Sequence, residues 1–393
     1  MSETAAQRPP LFTRPFFTMC AFSFAVFLSA FMLLPTAPLR ILALGGSTLA
    51  AGSFLGLLTY ASAFSATLTG ALADRFGRRR TLVVCGLVLV VFALAYGLAP
   101  RPGVILALVL MQGVFWSGLL SGSAAYITGV IPESRRAEGI GYWGLATMLA
   151  IAVAPNVGLW LYKRGWWMVC GAAAAFNLAM AAIAFSLPEQ PRSTAGGPFL
   201  GKGFLEWRVL LASITLFLYS FGYGCITSFV ALYTRANHVE PEGIYFTVLA
   251  VVVLLTRPFV VPLADRYGHH ATLLPCFVLM PAGLGILAWS GARLPLLLSA
   301  VVFGLGFGSA YPVFAAYVTR RVEPLRRGAA FGAILAAFDT GIGTGSICAG
   351  WLIGHSGFRA AYGVAALVAS LALPYFLWIE RRLLAPRPVA RAA

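Results

Sequence analysis

Two formal charges lie well inside apolar stretches of this sequence, Asp339 and Arg257, and charge buried in such surroundings is costly enough to make each a candidate for function. Asp339 stands eleven residues beyond Gly328. At 1.5 Å per helical residue that is roughly 16 Å, near the middle of an apolar layer of about 30 Å. A carboxyl group there stays neutral while occluded and gives up its proton where water reaches it, which is the chemistry of a proton relay. A structural Asp bonded to Thr340, Thr344 or a helix backbone in the run Gly341, Gly343, Gly345 fits the residues equally well. Arg257, just before Pro258, reads as a structural cation that pairs with a carboxylate or extends its head toward the nearer interface. The histidines, His238, His269, His270 and His355, fall near loops without ligand-spaced carboxylates, and the cysteines sit in apolar runs without CxxC spacing. No metal, cofactor or disulfide framework is expected. A phosphate-binding Gly-rich Lys loop is absent from the sequence, so neither an enzyme nor an ATP-driven pump subunit is indicated.

The elements that must carry these residues are membrane helices. A chain of 393 residues that is 60% hydrophobic and 10% charged, with mean hydropathy +0.86, has too little polar surface to cover a water-soluble globule. Apolar runs long enough to cross a bilayer fall near 16–36, 46–70, 81–99, 103–130, 138–161 and 166–187, then 209–234, 243–263, 271–290, 294–319, 328–353 and 358–379. The expected fold class is therefore all-α and integral to the membrane, with 12 transmembrane helices. The first run follows Arg8 and Arg14 without a cleavage-like pattern and reads as a retained helix, not a signal peptide.

Of the 28 basic residues, seven (Arg40, Arg101, Lys163, Arg164, Arg235, Arg293, Arg359) fall on one side, Arg257 lies inside a span, and the other 20 share the side of the N-terminus. That bias puts both termini in the cytoplasm. It also accounts for the net charge of +16 through topology, so no nucleic-acid partner is expected. Arginine predominates, with Lys163 and Lys202 the only lysines, which suggests a bacterial inner membrane.

The chain repeats itself. GALADRFGRRRTL from Gly70 to Leu82 recurs as VPLADRYGHHATL from Val261 to Leu273, an offset of 191 residues with seven of thirteen positions identical. The same offset carries Tyr126 onto Tyr317, Gly141 onto Gly332 and Trp160 onto Trp351. An even number of spans separates the copies, so the halves share orientation about an axis along the membrane normal, with a site expected between them.

The segment Gly70-x-Leu72-Ala73-Asp74-Arg75-x-Gly77-Arg78-Arg79 resembles the loop motif of the major facilitator superfamily, and Leu263 to Gly268 resembles its second-half echo. The resemblance covers essentially the whole chain. It implies a rocker-switch fold of two pseudo-symmetric bundles, residues 1–187 and 209–393, joined by a cytoplasmic linker at 188–208. It also implies a cytoplasmic gate held by Asp74, Arg75, Gly77 and Arg78, with Gly70, Asp265, Arg266 and Gly268 as the further motif positions. Physically, Gly70 permits close helix approach, Gly77 a turn with positive φ, and Asp74 can accept charge-assisted hydrogen bonds. The competing role for Arg78 to Arg80 is to anchor topology at lipid headgroups; gating is expected of Asp74 and Gly77, anchoring of Arg79 and Arg80. Ala154-Pro155-Asn156-Val157-Gly158 resembles a worn form of an exporter element, although a kink with close helix packing explains it equally well. Gln112-Gly113 resembles the tail of a proton-antiporter element, with Val109 where that element has an arginine.

By the same resemblance, spans one, four, seven and ten line a cavity. These carry Ser23, Phe24, Phe27, Met32, Gln112, Phe115, Trp116, Ser117, Tyr219, Tyr223, Thr227, Phe307, Tyr311 and Tyr317, of which Phe27, Gln112, Trp116, Tyr219, Tyr223 and Tyr311 are the leading wall residues. Aromatic walls with few polar groups suit an amphipathic solute. The expected function is secondary transport by alternating access: proton-coupled export of amphipathic or drug-like molecules, as in the efflux and drug:proton antiporter branch, with Asp339 coupling. An uptake carrier for a sugar, an organic acid or a similar metabolite, and a non-transporting membrane sensor, are the alternatives. The partners expected are a small-molecule substrate, protons and lipid, for a monomer.

Overall fold

The computed structural model describes residues 9–190, 207–322 and 327–384, with the side chains of a few of these, Asp265 among them, outside the described set. Ten of its helices are long and apolar enough to cross a membrane. In order they are α1 (Arg14–Ala43), α2 (Thr48–Phe76), α3 (Arg78–Leu98), α4 (Pro102–Val130), α5 (Arg136–Tyr162), α6 (Trp166–Ser186), α7 (Trp207–Ala236), α8 (Ile244–Tyr267), α9 (His269–Trp289), α10 (Arg293–Thr319), α11 (Arg327–Ser370) and α12 (Ala372–Ile379), α8 and α12 being the two short of that standard as single helices. α11 is two passages in one: Gly357, at φ +81°, breaks its helical geometry, and residues 358–370 run on toward α12 as the return passage. With α8 counted, twelve passages result among the described residues, as expected. The expected linker, residues 188–208, lies mostly outside them.

Helix ends follow local chemistry. The Ser47 side chain caps α2 by accepting from the Ala50 amide at 3.1 Å, and Pro102 opens α4 where a missing amide proton does no harm. Between α2 and α3 the chain turns at Gly77 with φ +97°, and between α8 and α9 at Gly268 with φ +83°. Other left-handed residues lie near equivalence between the halves, His238 two residues beyond the counterpart of Gly45 and Gly357 one beyond that of Gly165. The repeat seen in sequence is thus also a repeat of turn geometry.

Within the first six helices α2 packs on α4, α1 on α5 and α3 on α6; in the last set α7 packs on α11 and α10 on α8 and α9. The two sets meet through α2 on α11 and α5 on α8. Small residues make the first of these contacts. At Gly52, Gly56, Gly343 and Gly350 an added Cβ would strike the facing helix, so no larger side chain fits.

Candidate functional site

Between the two sets of helices lies a cavity of about 430 Å³. One end is sealed. There the Ser346 hydroxyl donates to the Gly52 carbonyl at 2.7 Å and shares a 2.6 Å bond with Ser228, while Tyr60 and Thr344 are 2.7 Å apart. Asn156 donates to Thr247 at 2.6 Å, and Lys163 lies 3.6 Å from Glu242 and 3.7 Å from Glu240 at the rim. All of these contacts lie toward the α1–α2, α5–α6 and α7–α8 turns. Toward the opposite end Phe64 on α2 is 82% and Phe259 on α8 77% exposed.

Both intramembrane charges face this cavity. Asp339 on α11 makes no hydrogen bond or ion pair among the described residues. The threonines offered as its structural partners are engaged elsewhere: Thr340 donates to Ala336 O at 2.7 Å, and Thr344 donates to Thr340 O at 2.7 Å and meets Tyr60. Arg257, expected to be structural, stands in the wall instead. It lies ten residues before the end of α8 at Tyr267, about 15 Å along the axis, so the nearer interface is a long reach.

Of the leading wall residues, Phe27, Trp116, Tyr223 and Tyr311 line the cavity. Gln112 and Tyr219 do not. Gln112 is turned into the α3–α4 contact, where the Tyr96 hydroxyl donates to its side-chain oxygen. Tyr219 is fully buried behind the wall, donating to Gly306 O at 2.8 Å with its ring stacked on Phe307. The reason is geometric: one helix turns only one stripe toward the cavity, and its remaining polar groups must find partners between helices. Ser23, Thr227 and Phe307 also line it, whereas Phe24, Met32, Phe115, Ser117 and Tyr317 are absent from the lining. The sequence reading missed the share of α2 and α5, including Thr59, Trp143 and Thr147, and on α8 and α11 pointed only to the two charges. Trp143 donates to Ser23 Oγ at 2.6 Å, which joins α5 to α1. Trp143 and Thr147 are one helical turn apart, a polar-edged stripe that could have flagged them.

The sequence matches the Major Facilitator Superfamily over residues 19–239 and again over 212–392. The chain belongs to this superfamily. An MFS-type transporter of Burkholderia mallei (strain SAVP1) is 27% identical over 337 residues, 83% of this chain and 82% of the relative. One from Salmonella typhimurium is 26% identical over 328 residues, 79% of this chain and 83% of the relative. In fold, the chain is similar to the nucleoside transporter NupG (TM-score 0.76, 15% identity, 95% of this chain and 100% of that one). It is also similar to a D-xylose–proton symporter (TM-score 0.72, 17% identity, 92% and 97%). The protein is thus an integral membrane transporter of this superfamily, and the efflux branch expected from sequence is not singled out by these relatives.

The superfamily loop motif sits at the α2–α3 turn, at the end opposite the seal. Arg78 is 3.9 Å from Asp74, and its Nη1 donates to Ala125 O at 2.8 Å and to Gln190 Oε1 at 3.0 Å, tying α3 to α4 and to the segment after α6. Arg79 donates to Phe185 O at 2.6 Å, and Arg80 lies 3.3 Å from Glu189, so both hold the end of α6. Gly70 has open space where a Cβ would stand. Arg75 and Arg266 lie in the last turns of α2 and α8. Asp265 keeps its place in α8, with its side chain outside the described residues.

Proposed function

We propose that this superfamily member moves amphipathic small molecules in exchange or in company with protons, with Asp339 carrying the proton. The observation behind this is a carboxyl group without a hydrogen-bond or ion-pair partner among the described residues, set at mid-depth on α11 and lining the cavity between the two sets of helices. Such a group is hydrated while the cavity is open and must shed its charge when the cavity closes around it. The halves 1–187 and 209–393 act as the rocking bodies about the segment 188–208. With the basic residues setting both termini in the cytoplasm, the sealed end faces outward and the form described is open to the cytoplasm. Asp74, Gly77 and Arg78 would close that end in the alternate form, the Arg78 contacts being what must rearrange. Asn156 and Gly158 have packing roles: Asn156 bonds across to α8, and an added Cβ on Gly158 would meet the Met32 backbone. Export therefore rests on resemblance alone, and direction follows the gradients.

The test is purified protein in liposomes that trap a pH-sensitive dye, screened with lipophilic cations, organic acids and sugars, with Asp339→Asn in parallel. Solute-dependent proton movement in the native protein, lost in Asp339→Asn, is the expected result. Solute movement without protons in the native protein would remove the coupling role.

A further inference from the structure

Arg257 is placed as a ligand would need it. From α8 its guanidinium crosses to the opposite half, where a methyl group added to Gly144 of α5 would lie 3.7 Å from Nη1. It makes no hydrogen bond or ion pair among the described residues, and the only acidic side chain lining the cavity, Asp339, is not within 4.0 Å of it. Arginine stays charged and brings five N–H donors in a planar fork, so closure of the cavity strands those donors unless the solute supplies acceptors. Around it the wall is apolar and aromatic, with Trp116, Trp143 and Phe307 available to a hydrophobic body.

We infer that the solute is an amphipathic organic monoanion whose acidic head pairs with Arg257 while its apolar body lies against the aromatic wall. The inference rests on this cavity being the transport site. A single guanidinium matches one negative charge, which a carboxylate meets through two parallel hydrogen bonds. A neutral solute would leave the fork unpaired, and a cation would be repelled by it.

The second charge sets the coupling. The titratable groups facing Asp339 across the cavity are Tyr223 on α7, Arg257 on α8 and Tyr311 on α10; α1, α2, α4 and α5 contribute none to the lining. An ionised Asp339 repels an anion in the same cavity, so anion and proton favour each other's binding and travel together.

The experiment is calorimetric titration of the purified full-length protein with three near-isosteric probes: naphthoate, naphthamide and naphthylmethylammonium. Naphthoate is expected to bind at least about tenfold tighter than the other two, and tighter still as pH falls. Arg257→Gln should erase that preference, Arg257→Lys should keep part of it, and a thermal unfolding midpoint unchanged in both shows that the protein is folded. Equal or tighter binding of the amide or the ammonium to the native protein overturns the inference, as does failure of all three to bind at millimolar concentration. Selective naphthoate binding without proton movement in liposomes would leave the anion site standing and remove the role given to Asp339.

Discussion

The two halves line the cavity at several corresponding positions with unmatched chemistry. Under the 191-residue offset Trp116 corresponds to Phe307 and Leu120 to Tyr311, all four in the wall, so the aromatic lining is partly shared. The charges are not shared. Asp339 faces a counterpart in Met148, also in the wall, and Arg257 has Ala66 as its counterpart. The first half thus gives an uncharged surface and the second half both ionic groups.

The end opposite the seal shows a similar divergence. In the first half, Arg79 and Arg80 hold the end of α6 beside Tyr126, whose hydroxyl donates to Pro188 O at 2.8 Å. In the second half, Glu380, the counterpart of Glu189, accepts from Tyr317 and lies 2.7 Å from His270. Duplicated positions kept the turn glycines and the packing, and changed where charge is needed. Repetition fixes where side chains stand, and the departures from it mark the chemistry.

The sharpest way to break this comparison is to exchange the counterparts. Asp339→Met should abolish solute-dependent proton movement in liposomes, and adding Met148→Asp should restore a measurable part if position in the shared frame is what matters. The next effect is at the sealed end, where Gly52→Leu would drive a side chain into the Ser346 carbonyl. Overpacking of this kind costs about 1–3 kcal/mol, so closure should weaken, and a cysteine introduced in the wall by Val26→Cys should become reachable to labelling from the sealed side.

A smaller contrast separates the two clusters. Glu380→Gln disturbs a carboxylate 17% exposed with two partners, at a cost of about 1–3 kcal/mol. Glu189→Gln loses an ion pair with both side chains about half exposed, worth about 0–1 kcal/mol. Thermal unfolding should separate them in that order, and equal losses would erase the asymmetry. Lys163→Ala gives up one pair with Glu240, 80% exposed, and one with Glu242, 12% exposed, and should cost about 1 kcal/mol, more than Glu189→Gln and less than Glu380→Gln.

Much of the fold was legible because lipid enforces long apolar runs and the repeat supplied its own internal check. Gly77 and Gly268 show this best: identical in both copies of the loop, they take the same left-handed turn. The site was legible only in part. Asp339 and Arg257 stood out because charge at that depth is rare, but nothing in the sequence says which way a helix face turns. Gln112 and Trp143 show the consequence: a glutamine expected in the wall found a tyrosine between helices, and a tryptophan on a helix not expected to contribute reached the cavity. The surroundings of Arg257 were hidden for a related reason, since its distance from any acid depends on how the halves sit together.

The seal between α2, α7 and α11 is built from hydroxyls and glycine carbonyls, the Ser346 bonds to Gly52 and Ser228 chief among them. Dissolved ions screen exposed charges over about 8–10 Å but leave short bonds between buried neutral groups largely untouched. Ionic strength on the side of the sealed end should therefore alter the Lys163 rim and little else, so opening toward that side would keep its rate in dilute and saline media alike.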